Sequence, residues 1–266
     1  SDLSEIINLS NELKVPINIV PKININNDSK DNSIQLTWNM SSETDNFQSS
    51  NIIVSKYPII TTSKIILNDE MDEKLVGYKH AIIANINIEG YLVSITSLSL
   101  SEDYLGISNS DFRKYEIQQL QKYINQNSEE IKKINEIYGL KLIDKNINII
   151  CGNFNIPEFK NSKFNPELMS IFKSLKALDT FRVINQTKKN NIFTNVHNFK
   201  DCYILLLLNN MSFSDEIDQK DILNFSYKHH GITVVKSYIE KNVQSNDYYP
   251  LETIFILDRK EKKILD

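Results

Sequence analysis

The junction that most constrains this chain is residues 148–159, NIICGNFNIPEF, where an apolar run (Ile149, Ile150) stops abruptly at Gly-Asn-Phe-Asn and passes into Ile-Pro. Gly and Asn accept the backbone of a turn and Pro cannot continue a ladder, so the stretch predicts a buried strand ending in a turn. Strand ends of this kind are where sheet-and-helix folds gather their ligands. Here the end offers two amides, Asn153 and Asn155, where hydrolytic chemistry calls for at least one carboxylate. The junction reads as a catalytic corner or as what remains of one.

At 266 residues, 41% hydrophobic and 24% charged, the chain can bury a substantial core, and we expect a single domain over 1–266. A net charge of -4 supplies no global pull towards nucleic acid or an acidic membrane surface and leaves only a local basic patch open. Cys151 and Cys202 both lie in strand-like apolar runs. They are expected to be buried, inert thiols, with no disulfide framework and no zinc site. The longest apolar run, CYILLLL at 202–208, falls far short of the ~20 residues of a membrane-spanning helix and reads as a core strand. The chain begins Ser-Asp, with neither an initiator Met nor a signal-like segment, as expected of a processed chain or a domain of something longer.

Periodicity then places the elements. Leu3, Ile6, Ile7, Ser10 and Leu13 recur at helical spacing and predict a short amphipathic helix. Residues 22–50, rich in Asn, Asp and Ser, read as loop around one ordered island, IQLTWN. NIIVSKYPII (51–60) predicts a strand ended by Pro58, and residues 79–100 predict two strands joined at Glu89-Gly90 as a hairpin. A long helix is expected from SNSDFRKYEIQQLQKYI and a second from NPELMSIFKSLKAL, with Pro166 in its first turn. Strands are expected at DCYILLLL, ITVVKSYIE and LETIFIL. Helices interspersed with hairpin strands indicate a mixed-sheet α/β or α+β fold.

Six stretches, taken in order, resemble the motifs of the endonuclease/exonuclease/phosphatase superfamily. SNIIVSKYPI is similar to its Gly-x-Ala-Ile-Leu-Ser-Arg-Tyr-Pro-Ile, and LVSITSLSL to its Val-x-Asn-Thr-His-Leu. DFRKYEIQQLQKYI is similar to the helix that follows, NIICGNFNIPE to the Gly-Asp-Phe-Asn strand end, LDTFRVIN to Leu-x-Asp-x-Tyr-Arg, and SNDYYPLETIF to Ser-Asp-His-Tyr-Pro-Leu. The resemblance implies a DNase I-like four-layer sandwich of two mixed β-sheets flanked by helices. LSNELKVPINIV resembles the segment after the family's Gln-Glu strand, which implies that the first strands and their metal-binding Glu lie upstream of Ser1 or are lost.

The departures fall on the chemistry. By the resemblance, Asn153 stands for the family's Asp, Tyr248 for the His of Ser-Asp-His and Ser97 for the His of Thr-His-Leu, while Asn155 and Asp247 are retained. Cys202 takes the place of a further strand Asp, with Asp201 one residue away on the opposite face of a strand. A general acid or base contributes roughly 10² to 10⁴ in rate, and neither an amide nor a hydroxyl titrates near neutrality in its place. No cofactor is expected, with Asp247 only a weak metal candidate, because Mg²⁺ favours hard, usually anionic oxygen ligands. Asn155 and Asp247 are as readily explained by backbone bonds at their turns as by a residual ligand. His80, His197, His229 and His230 match none of the family's catalytic positions. The expectation is a catalytically degenerate domain acting through a protein partner, a larger parent chain or non-hydrolytic ligand binding. The alternative is a divergent Mg²⁺-dependent phosphodiesterase or phosphatase acting on nucleic acid, phosphoinositide or a sphingolipid- or glycosylphosphatidylinositol-type lipid.

Overall fold

The computed structural model describes residues 17–19, 34–38, 51–68, 79–103, 108–138, 143–160, 163–185, 201–208, 231–241 and 249–257. In chain order these form β1 (Ile17–Ile19), β2 (Ile34–Trp38), β3 (Ile52–Ser55), β4 (Ile59–Ile66), β5 (His80–Ile88), β6 (Tyr91–Ser99), α1 (Ser110–Tyr138), β7 (Ile143–Asn153), β8 (Phe159–Lys160) and β9 (Lys163–Phe164). They continue with α2 (Pro166–Leu175), β10 (Ala177–Asp179), α3 (Thr180–Ile184), β11 (Cys202–Leu207), β12 (Ile232–Ile239) and β13 (Leu251–Leu257). The amphipathic helix expected near the N-terminus lies outside the described residues.

A six-stranded mixed sheet, in the order β10-β11-β7-β6-β5-β4, organises the molecule. The β5–β6 hairpin turns at Glu89 (φ 51°) and Gly90 (φ 91°), two left-handed residues that match the twist of the strands they join. The Asn87 side chain accepts the Gly90 N–H at 2.8 Å and fixes that turn. β6 and β7 run parallel, and parallel neighbours need a long crossover, which α1 provides.

Alternation along the strands gives the sheet two apolar faces. Ile65, Ala81, Ile83, Leu98, Ile150 and Leu205 pack with Ile117, Leu120 and Ile124 of α1 and Leu168, Ile171, Phe172 and Leu175 of α2. On the other face Val93, Ile147, Ile149 and Leu206 meet Ile232 and Val234 of β12 and Phe255 and Leu257 of β13. Ile82, Ala84 and Ile86 pack there with Ile53 of β3. The result is a mixed α/β fold with helices over one face of the large sheet and strands of further sheets over the other. Those strands form β1-β2-β3, with β1 parallel to β2, and the antiparallel β12-β13 ribbon.

Two boundaries differ from the sequence expectation. Pro58 does not end the apolar run at 51–60. Ser55 closes β3 by accepting the Tyr57 N–H through its hydroxyl, and Ile59 and Ile60 open a separate strand. The helix expected over NPELMSIFKSLKAL stops at Leu175, because Lys176 takes a left-handed conformation (φ 50°) and its N–H bonds back to the Lys173 and Phe172 carbonyls. Ala177–Asp179 then extends as the edge strand β10 beside β11.

Candidate functional site

Register decides which side chains share a face at the ends of β6 and β7. Ser97 stands beside Cys151 and Ser99 beside Asn153 across the parallel pair. On the far side of β7, Cys202 stands beside Asn153 and Ile204 beside Cys151. Ile95, Ile149 and Ile204 share the parity of these residues and belong to the core between the sheets. Ser97, Ser99, Cys151, Asn153 and Cys202 therefore continue that face to the strand ends, as its polar floor. His80 precedes Ala81, which pairs with Leu98, and shares the parity of Ile82 and Ala84, so it stands in the row of Ser99.

The turn beyond β7 is tied down by its own amides. Asn153 Oδ1 accepts the Asn155 N–H at 2.8 Å. Asn155 sits at φ 52°, where Asn is among the few side chains tolerated, and its Nδ2 donates to the Leu100 carbonyl at 2.7 Å. The Phe154 N–H reaches the Asp201 carbonyl and the Leu100 N–H reaches the Asn153 carbonyl, each at 2.9 Å. Gly152 is required: at φ +143° a Cβ would lie 1.9 Å from the Leu98 carbonyl oxygen.

A buried charge cluster clamps the segment that leaves β6. Ser101 donates its N–H to Glu116 Oε2 at 2.9 Å and its hydroxyl to Glu116 Oε1 at 2.5 Å. Arg113, only 1% exposed, donates to the Ser101 carbonyl at 3.0 Å and to Asp103 Oδ1 at 2.7 Å. It also grips Glu167 at the start of α2 through two bonds, at 2.7 and 3.1 Å. Burial pushes the Glu116 carboxyl above the usual range, against the opposing pull of the Ser101 bonds and of the Lys79 and Arg113 charges.

Of the sequence-predicted residues, Ser97 and Asn153 lie on neighbouring strands of one face, one diagonal step apart. Asn155 lies in the turn just beyond them. Asp247, Tyr248, His197, His229 and His230 lie outside the described residues. Cys202 occupies the floor, while Asp201, itself buried, has the opposite parity, that of Tyr203 and Leu205. The cysteines are half-buried rather than fully buried and are not joined in a disulfide. Cys151 donates to the Thr96 carbonyl at 3.3 Å, and burial pushes its thiol up to about 11. His80, Ser99 and Cys151 were not read as neighbours of Asn153 from the sequence. Counting back by two from Asn153 reaches Cys151, but the other two depend on register across strands.

Among solved structures, the chain is similar to an endonuclease/exonuclease/phosphatase family protein from Leptotrichia buccalis C-1013-b. The TM-score is 0.53 at 15% identity, over 86% of this chain and 73% of that one. It is also similar to the human Nocturnin catalytic domain with bound sulfate anion, with a TM-score of 0.51 at 14% identity, over 84% of this chain and 72% of that one. The chain has the endonuclease/exonuclease/phosphatase fold. No family model matches the sequence, and no curated protein matches it.

Within the endonuclease/exonuclease/phosphatase fold the floor residues can be tested against a Mg²⁺ ion. The described floor offers hydroxyls, an amide and thiols, with His80 in the same row and no carboxylate, which does not fit an ion that favours anionic oxygen. Among the described residues no group of three or more His, Cys, Asp or Glu is placed to hold a metal ion. Among them, too, no helix is long and apolar enough to cross a membrane.

Proposed function

We propose that the chain is a catalytically silent domain built on the endonuclease/exonuclease/phosphatase fold, which acts in protein interaction, complex assembly or non-hydrolytic ligand binding. The observation that supports this reading is the floor itself. Ser97, Asn153 and Cys202 stand together where the resemblance calls for His and two Asp, and the Asn153 and Asn155 amides are engaged in holding the turn. Shape is kept by bonds that need no charge. A partner protein, or the rest of a longer parent chain, is the ligand class this reading favours, and no bound Mg²⁺ is part of it.

The test is an assay of the purified chain on a generic phosphodiester with magnesium, alongside calorimetry with the same ion. The expected outcome is turnover at the blank level and weak or absent ion binding. The triple variant Asn153→Asp, Ser97→His and Tyr248→His, with any missing upstream Glu strand supplied, is expected to gain more than any single reversion, because groups that act as a unit are strongly non-additive. Robust turnover by the unaltered chain, abolished by Asn155→Ala, overturns the reading. A divergent phosphodiesterase would then have His80 as a titratable group in the row of Ser99 and Asn153, and loss of that turnover in His80→Gln would mark a rearranged site.

A further inference from the structure

We propose that β13 is the pairing edge of a two-fold dimer, in which the β13 strands of two copies of this chain lie antiparallel and join their ribbons into one continuous sheet. Among the described residues, β13 pairs with β12 alone. The outer edge of β12 is guarded: a bulge breaks its register between Val234 and Lys236, and Asn185 Nδ2 donates to the Ser237 carbonyl at 2.9 Å. β13 carries none of the usual guards of an edge. Its seven residues, LETIFIL, include no Pro and no Lys, and the bulge of the ribbon lies on the other strand. Ile254 and Ile256 stand 42% and 52% exposed on its outer face. Phe255 and Leu257, which pack into the core between the sheets, remain only half-buried. A strand laid alongside would finish their burial.

The backbone restricts the register of such a pair. The Glu240 N–H donates to the Pro250 carbonyl at 2.9 Å, and Glu252 and Ile254 follow at alternate positions opposite Tyr238 and Lys236. Hydrogen-bonded positions alternate along an antiparallel pair, so Glu252 and Ile254 turn their backbone groups to β12, while Leu251, Thr253 and Phe255 turn theirs to the outer edge. A two-fold axis at Ile254 satisfies that parity. Thr253 of one copy then exchanges N–H···O bonds with Phe255 of the other, and Leu251 stands beside Leu257. Ile254 meets its own symmetry mate as a close, non-hydrogen-bonded pair. Glu252 falls beside Ile256 of the other copy and not beside a second Glu252, so no like charges are opposed. The patch is therefore self-complementary, as a closed two-fold requires. It lies on the ribbon and does not depend on the absence of hydrolysis, so a positive phosphodiester assay would leave it standing.

The test is sedimentation velocity of the purified chain over a series of concentrations, with two charge variants of one position and one cross-link. The expected result is a reversible monomer–dimer equilibrium. Ile256→Glu sets Glu against Glu252 of the other copy twice per dimer and raises the dissociation constant about tenfold, whereas Ile256→Lys, which meets Glu252 with the opposite charge, keeps the dimer. Ile254→Cys under mild oxidation gives a covalent dimer, because the paired Cα atoms are then about 4.5 Å apart and within disulfide reach; the wild type and Ile256→Cys do not. Thermal melts establish that each variant is folded; where one is not, hydrogen exchange of the wild type decides, with the Leu251, Thr253 and Phe255 amides gaining protection as concentration rises. A chain that stays monomeric at every concentration, equal loss of the dimer in Ile256→Glu and Ile256→Lys, or cross-linking that does not require Cys at 254 overturns the proposal.

Discussion

A Cβ on Gly152 would meet the Leu98 carbonyl oxygen at 1.9 Å, and the φ of +143° there is strained for any L side chain. Gly152→Ala is therefore expected to lower the unfolding free energy by about 3 kcal/mol or more, read from urea denaturation. Asn153 is under a different constraint. What the turn asks of it is one acceptor oxygen for the Asn155 N–H, and an amide serves as well as a carboxylate. The negative charge can thus be absent at this corner while the backbone keeps its course. The turn was legible in the sequence because Gly-Asn-Phe-Asn is a local signal. That Ser99, His80 and Cys151 share its face was not, because strand register is set by packing across elements and is not written within any one of them.

The β6–α1 segment shows how an element end is anchored by charge taken out of water. Glu116 is fully buried and spends both oxygens on Ser101. Because burial raises its carboxyl, the folded state holds the proton to higher pH than the unfolded chain does. Stability from this group is then full below the unfolded carboxyl range, about 4.3, and falls as pH rises from there through the raised folded value. Glu116→Gln, which keeps an acceptor for the Ser101 N–H, is expected to remove that slope. Urea unfolding of both proteins from about pH 4 to about pH 7 should show the variant gaining on the wild type and then levelling off. Helices and hairpin were readable from period and turn chemistry, whereas the end of α2 was not. The left-handed cap falls on Lys176, a residue with no marked preference for that conformation, and Ala177–Asp179 are extended by pairing with β11.

At the scale of the molecule, three hydroxyls strap the β12-β13 ribbon to the large sheet. Thr180 gives its proton to the Ile204 carbonyl at 2.9 Å. It thereby accepts from Thr253 at 2.9 Å, which in turn accepts from Ser237 at 2.8 Å. Thr180→Val strands an acceptor and a donor in a buried place, so a loss of roughly 1–3 kcal/mol is expected. Hydrogen exchange should quicken in β12 and β13 while the β5 and β6 amides keep their protection. The mixed α/β architecture was legible from the alternation of elements, and its particular form from the ordered motifs. No single stretch encodes the strap, which joins residues 73 positions apart. Among the described residues, the large sheet also ends safely on both sides. β10 is only three residues long, and β4 carries an irregular register between Ile59 and Thr61 and an exposed Lys64. Short, kinked or charged margins are poor templates for a second chain, so a sheet this rich in isoleucine is guarded against aggregation by edge-to-edge strand addition.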